Sequence, residues 1–398
     1  MDELAINIKT AAKYRIGCAI FYFISGFGYS SWASRIPTIK HALNLNEAQL
    51  GTVLFALPVG LMLTMPVTNL LLSKYSSRRV MLFGSVFLSV LLALIGITNS
   101  MLQLIIVLFF FGSARNLLTL SINTQGVAVQ QLYSKSIMAT FHGIWSLAGF
   151  AGAAVGYLMV YFNIGVTWHF LFVSIALFIV TLYFIRDTID QKPVAQSRKP
   201  VFSLPDSYLI KFSLICFASM ACENAMYDWS AIYFQKAVHA EKATATAAFV
   251  VYMVAMTTGR FLGDRMVTSL GIKTVLRFSG IFIFCGLLLA VILPYTVTAM
   301  AGFILVGLGV SCVVPMIFSL AGKSTTMSSS AALASISTIG YIGFLLVPPF
   351  VGYIAHASSI RWSFGIIAMF GAMIVILVSQ IKADGSGTEI ASVSSPEN

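Results

Sequence analysis

Twelve apolar runs, each long enough to cross the hydrocarbon layer of a membrane, constrain this chain more than any other feature. A helix rises about 1.5 Å per residue, so roughly 20 apolar residues span that layer. The runs fall at about 14–34, 48–72, 80–98, 101–129, 136–162, 165–185, 208–234, 243–268, 274–293, 296–321, 330–356 and 362–381. They leave too little polar surface for a soluble globule: hydrophobic residues make up 58% of the 398 and charged ones 9%, against about 25% charged in an ordinary soluble domain. The 31 Phe, 15 Tyr and 5 Trp exclude a solvated coil. The expected fold is an all-α membrane protein with 12 transmembrane helices.

The net charge of +11 does not indicate nucleic-acid binding, because Lys and Arg sit in short loops between the runs rather than along one stripe. With a cytoplasmic N-terminus, eighteen of them face the cytoplasm, among them Lys9, Lys13, Arg15, Lys74, Arg78, Arg79, Arg186 and Lys273. Only Arg35, Lys40, Lys236, Lys242 and Arg361 face outward. The even number of runs returns the C-terminus to the cytoplasm. No small-residue cleavage site follows Lys9, Lys13 and Arg15, so the first run reads as a retained span. All five cysteines (Cys18, Cys216, Cys222, Cys285, Cys312) lie in apolar stretches without a C-x-x-C pair, so neither a disulfide framework nor a metal site is expected.

One long connection, with Pro193, Pro200 and Pro205, divides the runs six and six. The expected organisation is a six-helix bundle over 1–186, a cytoplasmic linker over 187–206, a second bundle over 207–382 and a disordered tail over 383–398. An internal repeat agrees with this: Gly156-Tyr157 and Gly352-Tyr353 recur 196 positions apart, late in the fifth and eleventh runs. The segment Ser73–Arg79 likewise has a counterpart in Gly259–Arg265. Two six-helix halves around a central cavity are the usual architecture of secondary transporters.

A charge at bilayer depth costs several kcal/mol unless paired or wetted, so each one marks a functional position. Arg115 lies near the middle of the fourth run and Glu223 near the middle of the seventh; Asp228 is further outward and His142 lies in the inner third of the fifth. Arg115, Thr119 and Asn123 share a helix face by their i, i+4, i+8 spacing, and Glu223 shares one with Tyr227. Arg115 and Glu223 either neutralise each other as a buried pair or work on a substrate: the guanidinium as an anion fork, the carboxyl as a proton carrier. His142 is either a packing residue or part of the site. Trp145 and Tyr341 correspond under the 196-residue offset and offer rings to a ligand. At a cytoplasmic helix end, Arg260, Asp264 and Arg265 read as a solvated loop or as a charge clamp that gates one access state.

The twelve runs, the 6+6 repeat and the G-R-x-x-G-D-R motif resemble the major facilitator superfamily. The resemblance sharpens at Ser31-Trp32-Ala33-Ser34-Arg35-Ile36-Pro37, Ile122-Asn123-Thr124-Gln125-Gly126, His142-Gly143-Ile144-Trp145-Ser146 and Glu223-Asn224-Ala225-Met226-Tyr227-Asp228-Trp229. These segments are similar to bacterial inner-membrane permeases of the YbjJ type, within the wider fucose-permease-like group. In that group a carboxylate usually stands one turn before the position of Asn123, and fucose permeases use such an acid in proton coupling. Here the residue is Thr119, with Arg115 a turn earlier, and Ser73 stands where an Asp is usual. The resemblance therefore implies that any proton is carried on the seventh span, by Glu223 or Asp228, and favours an acidic solute over a sugar.

The expected function is secondary transport of a small polar organic solute (a sugar, sugar acid or other anionic metabolite) by alternating access with proton coupling. The chain is expected to act as a monomer in the bacterial inner membrane, without a cofactor. Substrate contacts are expected from Arg115, Thr119, Asn123, His142, Trp145, Tyr227 and Tyr341. Efflux of drugs or metabolites is the alternative within transport, and a non-transporting membrane sensor the alternative outside it. No nucleophile–base or metal spacing points to an enzyme.

Overall fold

In hydrocarbon a backbone N–H or C=O has no water to bond, so a spanning segment satisfies itself as a helix. The computed structural model describes residues 8–133, 137–190, 205–206, 209–321 and 329–381, and it is all-α among them. The first set of helices is α1 (Ile8–Ala33), α2 (Ile36–Ala42), α3 (Glu47–Lys74), α4 (Ser77–Ile95), α5 (Met101–Gln130), α6 (Met138–Tyr161) and α7 (Val166–Phe184), closed by a 3-10 turn at Ile185–Asp187. The second set is α8 (Leu209–Lys236), α9 (Lys242–Leu270), α10 (Ile272–Ile292), α11 (Thr296–Val310), α12 (Val313–Ala321), α13 (Ser329–Ala357) and α14 (Ile360–Ser379). The long helices coincide with the apolar runs to within a few residues.

Among the described residues eleven candidate spans are long and apolar enough to cross a membrane, α11 and α12 together making one of them. The helix of the first run, α1, has 26 residues but is too polar to pass on composition. Its serines are turned inward, with Ser25, Ser30 and Ser31 all buried. Most of the 187–206 connection and all of the 383–398 tail lie outside the described residues.

Within the first set α1 packs on α6, α3 on α5 and α4 on α5 and α7; within the second, α8 packs on α13 and α14, and α10 on α11 and α14. Some of these contacts admit only glycine. A Cβ on Gly60 would meet the Phe109 carbonyl, and one on Gly112 would meet that of Leu57, so the backbones of α3 and α5 touch. The two sets meet along α3 with α13 and along α6 with α9.

Contacts fix which helix ends share a face. On one face, rich in Lys and Arg, Lys13 pairs with Asp187 at 2.9 Å, Arg78 donates to the Arg186 carbonyl at 2.9 Å and to that of Thr188, and Lys273 donates to the Ile381 carbonyl at 2.6 Å. On the opposite face Thr167 donates to the Gly96 carbonyl and Arg361 to that of Val291, each in a short bond.

That opposite face is sealed between the sets. The Glu47 carboxylate, at the start of α3, lies 3.2 Å from Lys40 of α2 and 3.2 Å from Lys236 of α8. His41 meets Gln235, and Thr52 meets the Tyr353 hydroxyl at 3.1 Å. Here Gly51 and Gly352 let α3 and α13 touch: a Cβ on Gly352 would lie 2.5 Å from the Glu47 carbonyl and 2.8 Å from Gly51 Cα.

Candidate functional site

Midway along the helices a cavity of about 150 Å³ lies between the two sets. Tyr29 of α1, Leu61 of α3, Arg115 and Thr119 of α5 and Trp145 of α6 line it from one side. Met220, Glu223 and Tyr227 of α8 with Tyr341 and Phe344 of α13 line it from the other. Arg115 follows fourteen residues after the start of α5 and Glu223 fourteen after the start of α8. At about 1.5 Å per residue both therefore lie roughly 21 Å along their helices. The sequence-derived residues Arg115, Thr119, Trp145, Glu223, Tyr227 and Tyr341 are brought together here.

Arg115 and Glu223 do not form an ion pair with each other. The Arg115 guanidinium carbon lies 3.7 Å from the centre of the Tyr29 ring and 5.7 Å from that of Phe344, a cation held against aromatic faces from both sets. Its buried Nη1 has no hydrogen-bond acceptor among the described residues. Glu223 and Asp228 are both close enough to act on Arg115 electrostatically.

The partner of Glu223 is Arg260, whose Nη2 lies 3.3 Å from the carboxylate. The sequence reading put Arg260, Asp264 and Arg265 at a cytoplasmic helix end, as a solvated loop or as a charge clamp between helices; α9 runs on to Leu270, and Arg260 lies well inside it. Its Nη1 donates to Ser146 Oγ of α6 at 2.6 Å and its Nε to the Ser311 carbonyl at 3.4 Å. That carbonyl is at the break between α11 and α12, where the helical ladder leaves acceptors free. Thr257, one turn before Arg260, donates to the Ser146 carbonyl at 3.2 Å, so α9 holds α6 of the other set at two points. Arg265 is exposed, and the Asp264 side chain lies outside the described residues.

Three of the substrate and proton candidates are not in the cavity wall. Asn123 continues the Arg115–Thr119 stripe toward the basic face, where Tyr22 donates to its Oδ1 at 2.7 Å. His142 stands edge-on to that same Tyr22 ring, with centroids 5.5 Å apart. Asp228 is buried on α8, beyond Tyr227. The Tyr227 ring meets Tyr29 across the two sets at 5.1 Å, and its hydroxyl reaches Met256 Sδ at 4.0 Å.

Sequence reasoning missed Tyr29, Leu61, Met220 and Phe344, which as apolar or aromatic residues in apolar helices carry no signal. Glu47 between its two lysines was missed as well. Arg260 was singled out as a gating residue, but its pairing with Glu223 was not; the measure that singled out Arg115 points to it, since it is eighteen residues into its helix.

The model of the Major Facilitator Superfamily matches residues 18–334. The chain belongs to that superfamily. Similar proteins include an uncharacterized MFS-type transporter of Yersinia pestis, 31% identical over 362 residues that cover 91% of this chain and 94% of the relative. Another is the membrane protein MosC of Rhizobium meliloti, 28% identical over 88% of this chain and 86% of its own. Among solved structures, that of the nucleoside transporter NupG superposes with a TM-score of 0.73 at 15% identity, covering 93% of this chain and 100% of its own. A bacterial homologue of the human lysosomal transporter Spinster, inward-facing and unoccupied, gives 0.68 at 12% identity over 93% and 96%. At these identities the two structures establish the fold alone; superfamily membership and the candidate spans make the chain a multi-pass membrane protein of a transporter family.

Proposed function

We propose that the protein carries a small organic anion across the bacterial inner membrane by alternating access, coupled to protons. The observation that carries this reading is the mid-membrane cavity in which Arg115 holds an unpartnered N–H while Glu223 has its own cation. A buried charge without a partner is costly, and an anionic solute supplies one. Each chain carries a complete cavity, so the transport unit is the monomer.

The basic face is cytoplasmic by the positive-inside rule, so the Lys40–Glu47–Lys236 contact closes the outward path. Protonation of Glu223 would release Arg260, and with it one of the two bonds that hold α6 to α9. Glu223 is thereby the coupling carboxyl and Arg260 its latch, with Asp228 the second acid within reach of Arg115. The two helix sets, 1–186 and 207–382, rock as bodies about this centre.

Efflux of amphipathic drugs is the competing direction, favoured by the aromatic walls. At about 150 Å³ the cavity is well below the 300–1,000 Å³ typical of sites for drug-sized ligands, which favours the smaller solute.

The test is solute exchange and uptake by the purified full chain in proteoliposomes. Glu223→Gln is expected to retain exchange between equal internal and external solute but to lose accumulation driven by a pH gradient. Accumulation by Glu223→Gln with unchanged pH dependence removes Glu223 from coupling.

A further inference from the structure

Charge, size and wall chemistry together narrow the anion, on the reading that this cavity is the transport site. Two cations, Arg115 and Arg260, and two carboxyls, Glu223 and Asp228, cluster at mid-membrane: Arg115 and Glu223 in the cavity wall, Arg260 against Glu223, and Asp228 behind the wall within electrostatic reach of Arg115. Tyr29, Tyr227, Tyr252 and Tyr341 from α1, α8, α9 and α13, with Trp145 of α6, complete the ring around them; His142 lies toward the basic face, against Tyr22. Fully ionised, the four charges cancel. A monoanion entering this low-dielectric chamber leaves one negative charge in excess, and net charge at that depth is costly. One proton on Glu223 or Asp228 restores neutrality; a dianion would require two.

Size follows from the volume. A water needs roughly 10–15 Å³ of such space, so about 150 Å³ holds on the order of ten waters, or a solute of about ten non-hydrogen atoms. The walls then choose its body. Tyr29, Trp145, Tyr227, Tyr341 and Phe344 present rings, Leu61 and Met220 present apolar surface, and Thr119 is the one uncharged aliphatic hydroxyl. Apart from the Tyr29, Tyr227 and Tyr341 hydroxyls and the Trp145 N–H the rest of this wall is mostly carbon, so a polyhydroxylated body would leave those of its hydroxyls that face carbon unpaired, each at a cost. A flat ring finds stacking surfaces on several sides.

We infer that the solute is a singly charged, flat organic acid of about ten non-hydrogen atoms, its anionic group on Arg115, and that it crosses with one proton so that no net charge moves.

Benzenesulfonate is the probe: its ring is flat, it is of this size, and its charge is fixed, so any proton carried must reside on the protein. Thermal shift and calorimetry on the detergent-solubilised full chain are expected to show binding of benzenesulfonate, and none of gluconate, benzyl alcohol or uridine. Arg115→Gln is expected to weaken that binding about 10- to 100-fold. Arg115→Lys, which keeps the charge and loses the planar fork, is expected to weaken it less, and serves where the Gln variant does not fold. In proteoliposomes an inward proton gradient is expected to drive benzenesulfonate uptake, and an imposed potassium–valinomycin potential of either sign to leave it unchanged. Stabilisation by gluconate or uridine instead of benzenesulfonate overturns the substrate class. Uptake that follows the imposed potential overturns the one-proton balance. Binding with no exchange of solute in proteoliposomes sinks the transport reading while leaving the ligand class intact.

Discussion

Replacing Lys236 with Gln removes the ammonium that ties Glu47 of one helix set to the other, and leaves Lys40, on the same side as Glu47, in place. The Lys236–Glu47 separation of 3.2 Å corresponds to about 5 kcal/mol of gross attraction at an effective dielectric of 20. Much of that is lost to solvent, because the Lys236 side chain is 52% exposed. Pairs of this kind contribute about 0.2–1 kcal/mol net. The sealed state should accordingly lose a factor of about 1.4 to 5 in population relative to the state open on that face. A cysteine at Thr52, at the same seam, reports this as its rate of labelling by a membrane-impermeant maleimide once Cys285 is blocked. Lys236→Gln should accelerate labelling by up to about that factor, more at low salt than at high, because an exposed pair is screened. Lys40→Gln, which removes a contact within one set, should change it less. Equal labelling in wild type and Lys236→Gln at low salt refutes the view that this contact holds the two sets together.

Two further substitutions separate contacts between the sets from contacts within one. Gly352→Ala puts a Cβ 2.5 Å from the Glu47 carbonyl, an overpacking that typically costs about 1–3 kcal/mol; the same Thr52→Cys labelling should accelerate while the melting temperature in detergent changes little. Thr68→Val removes the hydroxyl that donates to Asn116 Oδ1 at 2.6 Å inside the first set and leaves that buried acceptor empty, at about 1–3 kcal/mol; here the melting temperature should fall and the labelling rate should hold.

The spans were legible because hydrocarbon imposes one solution on a long apolar run, and the helix ends moved by only a few residues. Two local departures were not. The 7-residue α2 occupies a stretch outside the apolar runs, where length and hydropathy have no say. The break between α11 and α12 interrupts a run that reads as continuous. It is stabilised by side-chain bonds, Ser311 Oγ to the Leu308 carbonyl and Cys312 Sγ to the Gly259 carbonyl, the second of which depends on α9 being adjacent. In the site, depth along a helix found Arg115 and Glu223 but said nothing about partners. Matching depth made them natural counter-ions, yet Arg260 reaches Glu223 from α9 and Tyr29 takes the face of Arg115. Which of two cations meets a carboxylate depends on azimuth and side-chain reach, and periodicity in one helix does not encode the rotation of another.

The modest strength of the contacts between the sets has a mechanistic consequence. Among the described residues they include one half-exposed ion pair, single hydrogen bonds from Arg260 and Thr257 to Ser146, the His41–Gln235 and Thr52–Tyr353 contacts, Arg115 over the Phe344 ring and the Tyr29–Tyr227 ring contact. Contacts of these kinds are typically worth from a few tenths of a kcal/mol to about 3 kcal/mol each. A ligand moves a two-state equilibrium only by its difference in affinity for the two states, and a swing from 1:99 to 99:1 takes about 5.5 kcal/mol. One charge-assisted bond to Arg115 contributes about 1.5–3 kcal/mol, which falls short. On the proposed mechanism the shortfall is met when a proton on Glu223 frees Arg260, because the bond to Ser146 then loses the carboxylate that orients its donor. Anion alone should therefore shift access only partway, and anion with proton should complete it, which makes coupling a result of how weakly the two sets are joined.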